Sequence, residues 1–219
     1  MSGVTAFSSK SVNGFVHEPE RATNEGLVIT HGASGDCKAS LLVEIANAFS
    51  SAGLYVLRCD LAFRRLKGSG PPSPTNAARD RESLLEAAGE MRRMVSGSVY
   101  LGGQSYGGRQ ASMLAAEHPE ACAGLLLLSY PLHPPGRPQQ LRTAHLPEIH
   151  VPSLFAHGSR DPFGSIDELS AAIQLIPAAT DLCIVERAGH DLLRGKFDIA
   201  GMILPRFRTL MFRSAARSG

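Results

Sequence analysis

The feature that most limits the folds open to this chain is a regular alternation of short apolar runs with longer segments of helical spacing. The apolar runs are continuous and do not alternate with polar residues, which is typical of strands buried on both faces in a parallel sheet. The runs that predict strands are 26–30, 54–59, 98–101, 122–128, 152–156 and 181–186. We therefore expect an α/β fold in which a mostly parallel sheet of about six to eight strands has helices on both faces.

Helices are predicted in the intervals between these strands, where apolar residues recur every three or four positions. The helical segments are 41–49, 84–95, 166–176 and, at the end of the chain, 199–210. Residues 4–17 are expected to form an antiparallel hairpin at the edge of the sheet, because the segment is polar and contains Gly14 as a turn residue.

Two segments interrupt the alternation and are expected to be loops. Residues 60–76 and 130–150 are rich in proline and glycine, lack helical periodicity, and each follow the end of a predicted strand. Because the carboxyl ends of parallel strands line the ligand crevice, both loops are expected at its mouth. Neither resembles a separate cap domain, and 43% hydrophobic content suits one core, so residues 1–219 are predicted to form a single domain.

Charge and composition exclude several classes of function. The formal net charge is +2, and the basic run 63–67 is interpreted as a solvated face, so no nucleic-acid partner is expected. No apolar segment is long enough for a membrane span, and the amino terminus lacks the apolar run of a secretory signal. The four cysteines show no CxxC spacing, which favours reduced thiols in a cytoplasmic protein over a zinc site.

The segment Gly-Gln-Ser-Tyr-Gly at 103–107 is the clearest candidate for chemistry. A predicted strand runs directly into it, and a segment of helical composition follows it, so Ser105 is predicted to lie on a strand-to-helix turn known as a nucleophile elbow. Such a turn strains the backbone of the serine, and Gly103 and Gly107 are expected because a side chain there would collide across the turn. The hydroxyl would then lie at a helix N-terminus, whose dipole favours developing negative charge.

A nucleophilic serine needs a base, and the base needs an acid that orients it. His190 follows the strand 181–186, and Asp161 follows the strand 152–156, so both are expected at the same sheet edge as Ser105. We therefore predict Ser105, His190 and Asp161 as a catalytic triad. Asp60, which follows the strand 54–59, remains an alternative acid, whereas Asp191 is too close in sequence to reach Nδ1 of His190.

Two backbone amides are predicted to form the oxyanion hole. One belongs to Tyr106, directly after the nucleophile, and the other to Ala33 in the loop His-Gly-Ala-Ser-Gly, where Gly32 would let the backbone approach the substrate closely. His31 is interpreted as a residue that orients this loop. The other histidines lack metal-ligand spacing, so neither a metal nor another cofactor is expected.

These motifs resemble those of the α/β-hydrolase superfamily, from the HGASG loop to AGHDLL near the carboxyl end. The segments 102–112, 130–147 and 151–164 are similar to a small lidless branch related to dienelactone hydrolases. That branch includes predicted bacterial hydrolases, a testis-expressed protein and a subunit of the non-specific-lethal chromatin complex. The resemblance implies Ser105, Asp161 and His190 as the triad, but it implies no particular substrate.

The function predicted from these residues is a serine hydrolase that cleaves a small ester, thioester or lactone through an acyl-enzyme on Ser105. Two alternatives stay open: a catalytically silent protein-interaction module, and an acyltransferase or peptidase that uses the same triad. A small acyl compound is the expected partner, and the sequence gives no oligomeric state. As a weaker extension, an anionic substrate could meet one of four arginines, namely Arg64, Arg65, Arg137 and Arg142.

Overall fold

The computed structural model describes residues 3–192 and 197–218 of the chain. Within these residues, eight strands form one sheet with the order β1-β2-β4-β3-β5-β6-β7-β8. The strands are β1 Gly3–Ser8, β2 Asn13–Glu18, β3 Gly26–Thr30, β4 Tyr55–Cys59, β5 Val99–Gln104, β6 Leu125–Leu128, β7 Ser153–Gly158 and β8 Thr180–Val185. The predicted α/β fold and mostly parallel sheet are confirmed.

The pairing of the strands divides the sheet into a parallel body and an antiparallel edge. From β4 through β8 every neighbouring pair is parallel, whereas β2 pairs antiparallel with both β1 and β4. The expected hairpin at 4–17 is therefore present as β1 and β2. Because β3 lies between β4 and β5, the chain reverses its direction of travel across the sheet after β4, which leaves helices on both faces.

The helices match the predicted segments, with one addition discussed below. They are α1 Ser40–Ser51, α2 Ala62–Leu66, α3 Ala77–Met94, α4 Tyr106–Glu117, α5 Ile166–Ile173 and α6 Ile199–Ser218, with single 3-10 turns at Pro74–Asn76, Pro119–Ala121 and Leu146–Glu148. Among the described residues, none of these helices combines the length and the hydropathy that crossing a bilayer requires.

Two hydrophobic cores lie on opposite faces of the sheet. One is built on α3, α4 and α5, and its buried residues include Leu84, Ala111 and Leu169 of these helices and Leu101 of β5. The other is built on α1 and α6 against the alternate strand positions. Since successive strand residues point to opposite faces, continuous apolar strands supply both cores at once, which is why their sequences show no period-two alternation.

The prediction that 60–76 is entirely loop is wrong, because the five-residue helix α2 lies within it. A helix this short contains too few residues for apolar periodicity to register in the sequence. Tertiary contacts fix it instead: the Phe63 side chain is buried in the core, and its backbone N–H donates to the Asp80 carboxylate over 2.8 Å. The second segment, 130–150, contains only the 3-10 turn at Leu146–Glu148.

All four cysteines are buried free thiols. Burial raises the pKa of Cys37 and of Cys122 to about 12 in each case. Cys59 and Cys183 lie within β4 and β8, where the thiol packs as a small apolar side chain.

Candidate active site

Ser105 lies at the turn between β5 and α4, in a backbone conformation that L residues seldom adopt. Its φ is 50° and its ψ −115°, and its N–H donates to Leu128 O over 2.8 Å. A Cβ built on Gly103 would lie 2.8 Å from the Gly107 carbonyl carbon, and one on Gly107 would lie 2.5 Å from His31 O. Backbone strain of this kind costs about 1–3 kcal/mol and is typical of functional sites.

His190 lies between Ser105 and Asp161 and is hydrogen-bonded to both. The Ser105 Oγ is 2.8 Å from His190 Nε2, and His190 Nδ1 is 2.7 Å from Asp161 Oδ2. The Asp161 side chain is fully buried, whereas that of His190 is 24% exposed. The three residues predicted as a triad are thus brought into one hydrogen-bonded row.

Phe163 contacts both His190 and Asp161. Its ring stacks on the His190 imidazole, with the ring centroids 4.1 Å apart and the planes 27° from parallel. Its backbone N–H donates to Asp161 Oδ1 over 2.9 Å, which leaves Oδ2 for His190. The imidazole is therefore fixed on one face by packing and at both nitrogens by hydrogen bonds.

The alternative acid, Asp60, occupies a different position. Its Oδ1 accepts a 2.7 Å hydrogen bond from the Cys37 N–H and lies 3.5 Å from Nε2 of His31. Asp60 therefore supports the loop after β3, and the carboxylate within hydrogen-bonding distance of His190 Nδ1 belongs to Asp161.

His157, which was not predicted as a site residue, is buried beside Asp161. Its Nε2 donates to Gly164 O over 2.9 Å and lies 3.8 Å from Asp161 Oδ2. Burial lowers the pKa of His157, which favours a neutral ring next to the acid. The only signal in the sequence is its position four residues before Asp161, at the end of a strand.

The loop after β3 carries the second predicted oxyanion donor, Ala33, and His31 anchors it. His31 Nδ1 donates to Gly32 O over 2.8 Å, and Nε2 accepts the Leu61 N–H over 3.2 Å. These two bonds define a neutral tautomer, and burial lowers the pKa of His31 accordingly. A Cβ on Gly32 would lie 3.5 Å from the Ser105 Cβ, so the glycine keeps the space beside the serine open.

Arg64 is hydrogen-bonded to the same loop. The interpretation of 63–67 as a solvated face is therefore wrong for this residue. The side chain is only 8% exposed, and it donates to Ala33 O over 3.0 Å and to Gly35 O over 2.8 Å. Helix α2 places the guanidinium beside the loop, where backbone carbonyls accept its hydrogen bonds. The neighbouring Arg65 donates to backbone carbonyls of the edge hairpin.

Tyr106, the other predicted oxyanion residue, is the first residue of α4, and its side chain is tied to α3. Its hydroxyl donates to Asp80 Oδ2 over 2.7 Å, while Asp80 Oδ1 accepts the Phe63 N–H. Burial raises the pKa of Asp80, and these two donors oppose that effect. Sequence reasoning missed Asp80, because an acidic residue near the start of a helix is usually solvated.

Ser105 and His190 open into a cleft of about 930 Å³. Both interrupting segments line it, as expected, and so do Gly32, Ala33 and Tyr106. The larger apolar side chains of the lining are those of Leu41, Pro71, Pro72, Met113, Pro131 and Phe163. Arg142 is the one of the four arginines considered above that reaches the lining, and Arg109, which sequence reasoning missed, joins it there.

Ser105 lies on a strained turn after a central parallel strand. It is hydrogen-bonded to the His190 imidazole, which is in turn hydrogen-bonded to the Asp161 carboxylate. This is the layout of an α/β-hydrolase. The comparison with known families agrees. The chain belongs to the alpha/beta hydrolase domain family, whose profile matches residues 23–198. The family predicted from the motifs is therefore confirmed.

The chain is also similar to individual known proteins. The chain is 32% identical, over 163 residues, to NocK of Nocardia uniformis subsp. tsuyamanensis, a protein named as an esterase, and it spans 44% of that relative's length. In fold it is similar to a dienelactone hydrolase from Anabaena variabilis (TM-score 0.73, 20% identity, 98% of each chain covered). A lidless α/β serine hydrolase from Xanthomonas campestris is equally similar (TM-score 0.74, 17% identity, 95% of this chain and 94% of that one covered). The two solved structures show the same fold as this chain.

Proposed function

We propose that the protein is a serine hydrolase that cleaves a small ester, thioester or lactone through an acyl-enzyme on Ser105. The observation that carries this proposal is the row of two hydrogen bonds, 2.8 Å and 2.7 Å long, that joins Ser105, His190 and Asp161. The Nδ1–H group of His190 donates a hydrogen bond to Asp161, so Nε2 keeps a lone pair that can receive the serine proton. The proposed chemistry needs no cofactor.

In the first half-reaction, Ser105 Oγ attacks the substrate carbonyl carbon while His190 Nε2 takes the hydroxyl proton. The negative charge that develops on the carbonyl oxygen is stabilised by the backbone N–H groups of Tyr106 and Ala33 and by the N-terminus of α4. The imidazolium, stabilised by Asp161, then protonates the leaving group as the acyl-enzyme forms.

In the second half-reaction, water replaces the leaving group. His190 removes a proton from this water, the hydroxide attacks the acyl carbon, and Ser105 recovers its proton as the acid is released. Both half-reactions use the same donors for the oxyanion, so the loop held by His31 and Arg64 serves each of them.

We expect short acyl groups to be preferred, because the cleft is bounded by the loops 60–76 and 130–150 and by no further lid segment among the described residues. A series of p-nitrophenyl esters from acetate to palmitate measures this preference. Activity that rises steadily with chain length, with interfacial activation, would contradict it.

Labelling with a fluorophosphonate probe tests the nucleophile directly. Wild-type protein is expected to label at one site and to hydrolyse p-nitrophenyl acetate, and Ser105→Ala is expected to lose both properties while remaining folded. Ser73→Ala, which changes another serine in the cleft lining, is the matched control and should label normally. Folded wild-type protein that neither labels nor hydrolyses any of a broad panel of acyl esters would favour the interaction module instead.

A further inference from the structure

Two arginines of the cleft wall lack a partner that would explain their positions. Arg109 lies one helical turn after Ser105 on α4, and Arg142 lies in the loop 130–150. In the described part of the chain, the Arg109 side chain makes no hydrogen bond or ion pair, and its Nε is buried. Among the same residues, the Arg142 side chain donates only to the backbone carbonyl of Pro131, over 3.2 Å.

Other arginines of this protein have the partners expected of structural cations. Arg81 pairs with Glu117 at 2.7 Å, Arg206 pairs with Asp181 at 3.0 Å, and Arg64 donates to the carbonyls of Ala33 and Gly35. Partly buried cations are expected to be matched in this way, because desolvation of an unpaired charge is costly. Arg109 and Arg142 are the exceptions among the cleft residues that the structure describes.

The two guanidinium groups are also close enough to repel each other. The pKa of Arg142 is lowered by its partial burial and, as the next largest cause, by the charge of Arg109. Holding like charges together in one cleft destabilises the free protein slightly, and an anion placed between them would remove that repulsion.

We propose that Arg109 and Arg142 form a subsite for an anionic group, so that the natural substrate is an acyl compound bearing a carboxylate or phosphate near its scissile carbonyl. This inference rests on the proposed hydrolase function and adds the substrate class. Guanidinium groups bind carboxylate and phosphate alike through paired hydrogen bonds.

The position of Arg109 limits the distance between the anionic group and the reacting carbon. Its backbone N–H donates to Ser105 O over 2.9 Å, so the two residues are four positions apart on the helix, a rise of about 6 Å. An anionic group a few bonds from the carbonyl would therefore reach the subsite while Ser105 attacks. A half-ester of a short dicarboxylic acid has this geometry.

The subsite is tested by the ratio of kcat/KM for two substrates, one of which carries a charge and the other of which does not. For wild-type protein, kcat/KM for mono-p-nitrophenyl succinate should exceed that for its uncharged methyl ester, p-nitrophenyl methyl succinate, by roughly tenfold or more. Arg109→Gln and Arg142→Gln should each lower this ratio about tenfold, and added salt should lower it in wild type. Arg137→Gln, an exposed arginine of the same loop that lies outside the cleft lining, is the control and should leave the ratio unchanged.

A binding measurement separates this proposal from the proposed function. Calorimetry on Ser105→Ala should detect mono-p-nitrophenyl succinate more strongly than the methyl ester, and adding Arg109→Gln should abolish the difference. Competition by succinate and by inorganic phosphate then shows which anion the subsite prefers.

The possible results are distinct. Hydrolysis of neutral esters without any preference for the charged one, or an equal loss of preference in Arg137→Gln, overturns the subsite but leaves the hydrolase. Anion binding that depends on Arg109 in a protein that hydrolyses nothing supports the subsite and overturns the hydrolase. If Arg142→Gln fails to fold, Arg142→Lys keeps the charge and should retain part of the preference.

Discussion

Replacing Asp161 with asparagine changes one atom of the side chain yet is expected to reduce kcat about 10⁴-fold. The reason lies in the two donors that converge on this carboxylate. The Phe163 N–H occupies Oδ1, so the amide oxygen of asparagine would take that bond and direct its NH₂ group at His190 Nδ1. Nδ1 would then have to accept a hydrogen bond, and its proton would move to Nε2.

A proton on Nε2 removes the lone pair that receives the serine proton. A 10⁴-fold loss corresponds to about 5.4 kcal/mol of transition-state stabilisation. The assay is steady-state hydrolysis of p-nitrophenyl acetate, accompanied by a thermal melt to show that the variant is folded.

Asp60→Asn is the matched control, because it makes the same atomic change in the alternative acid. Its oxygen can still accept the Cys37 N–H, so kcat should stay within a few-fold of wild type. If Asp161→Asn keeps more than about a tenth of wild-type kcat, a loss of less than about 1.4 kcal/mol, then Asp161 is not the acid that orients His190. A large loss in Asp60→Asn instead would identify Asp60 as the acid.

Three further perturbations have defined outcomes. His190→Ala should melt like wild type but lose about 10⁴- to 10⁶-fold in kcat, which ester hydrolysis measures. Arg64→Met should cost about 2–4 kcal/mol in urea unfolding and lower kcat about tenfold, whereas Arg65→Met should leave kcat unchanged. His17 accepts a hydrogen bond from Arg58, and burial lowers its pKa from 6.5 to about 4. Its contribution to stability is therefore complete above pH 6.5 and is lost as the pH falls toward 4, on the order of 2 kcal/mol in urea unfolding; a flat profile over that range would contradict this.

The fold was predictable because its signals are local in the sequence. Continuous apolar strands, intervening helical spacing and the glycines around Ser105 each act within about ten residues, and the structure contains the corresponding elements. The candidate triad could be selected because its members follow predicted strands, and strand ends of a parallel sheet share one edge. Its catalytic role remains a prediction until the variants are measured.

The supporting residues carry no such local signal. Arg64, Asp80 and Arg109 are charged residues in or near helices, and the sequence alone favours solvent exposure for each of them. The roles of Arg64 and Asp80 depend on partners at least 17 residues away, namely the Ala33 carbonyl for Arg64 and the Phe63 N–H for Asp80. The packing of α2 and α3 determines which of their charged residues are buried, and the sequences of these two helices alone do not.

The approach of His190 to Ser105 also depends on a contact that the motifs do not encode. Ser105 follows β5 and His190 follows β8, three strands away, a separation of about 14 Å at the usual strand spacing. The chain after β8 crosses this gap by passing directly over the end of β7, where the Arg160 N–H donates to Ala188 O over 2.9 Å. A Cβ on Gly158 would collide with the carbonyls of Ala188 and Gly189. A glycine at the end of β7 is therefore what allows the histidine loop to lie low enough for Nε2 to come within 2.8 Å of the serine hydroxyl.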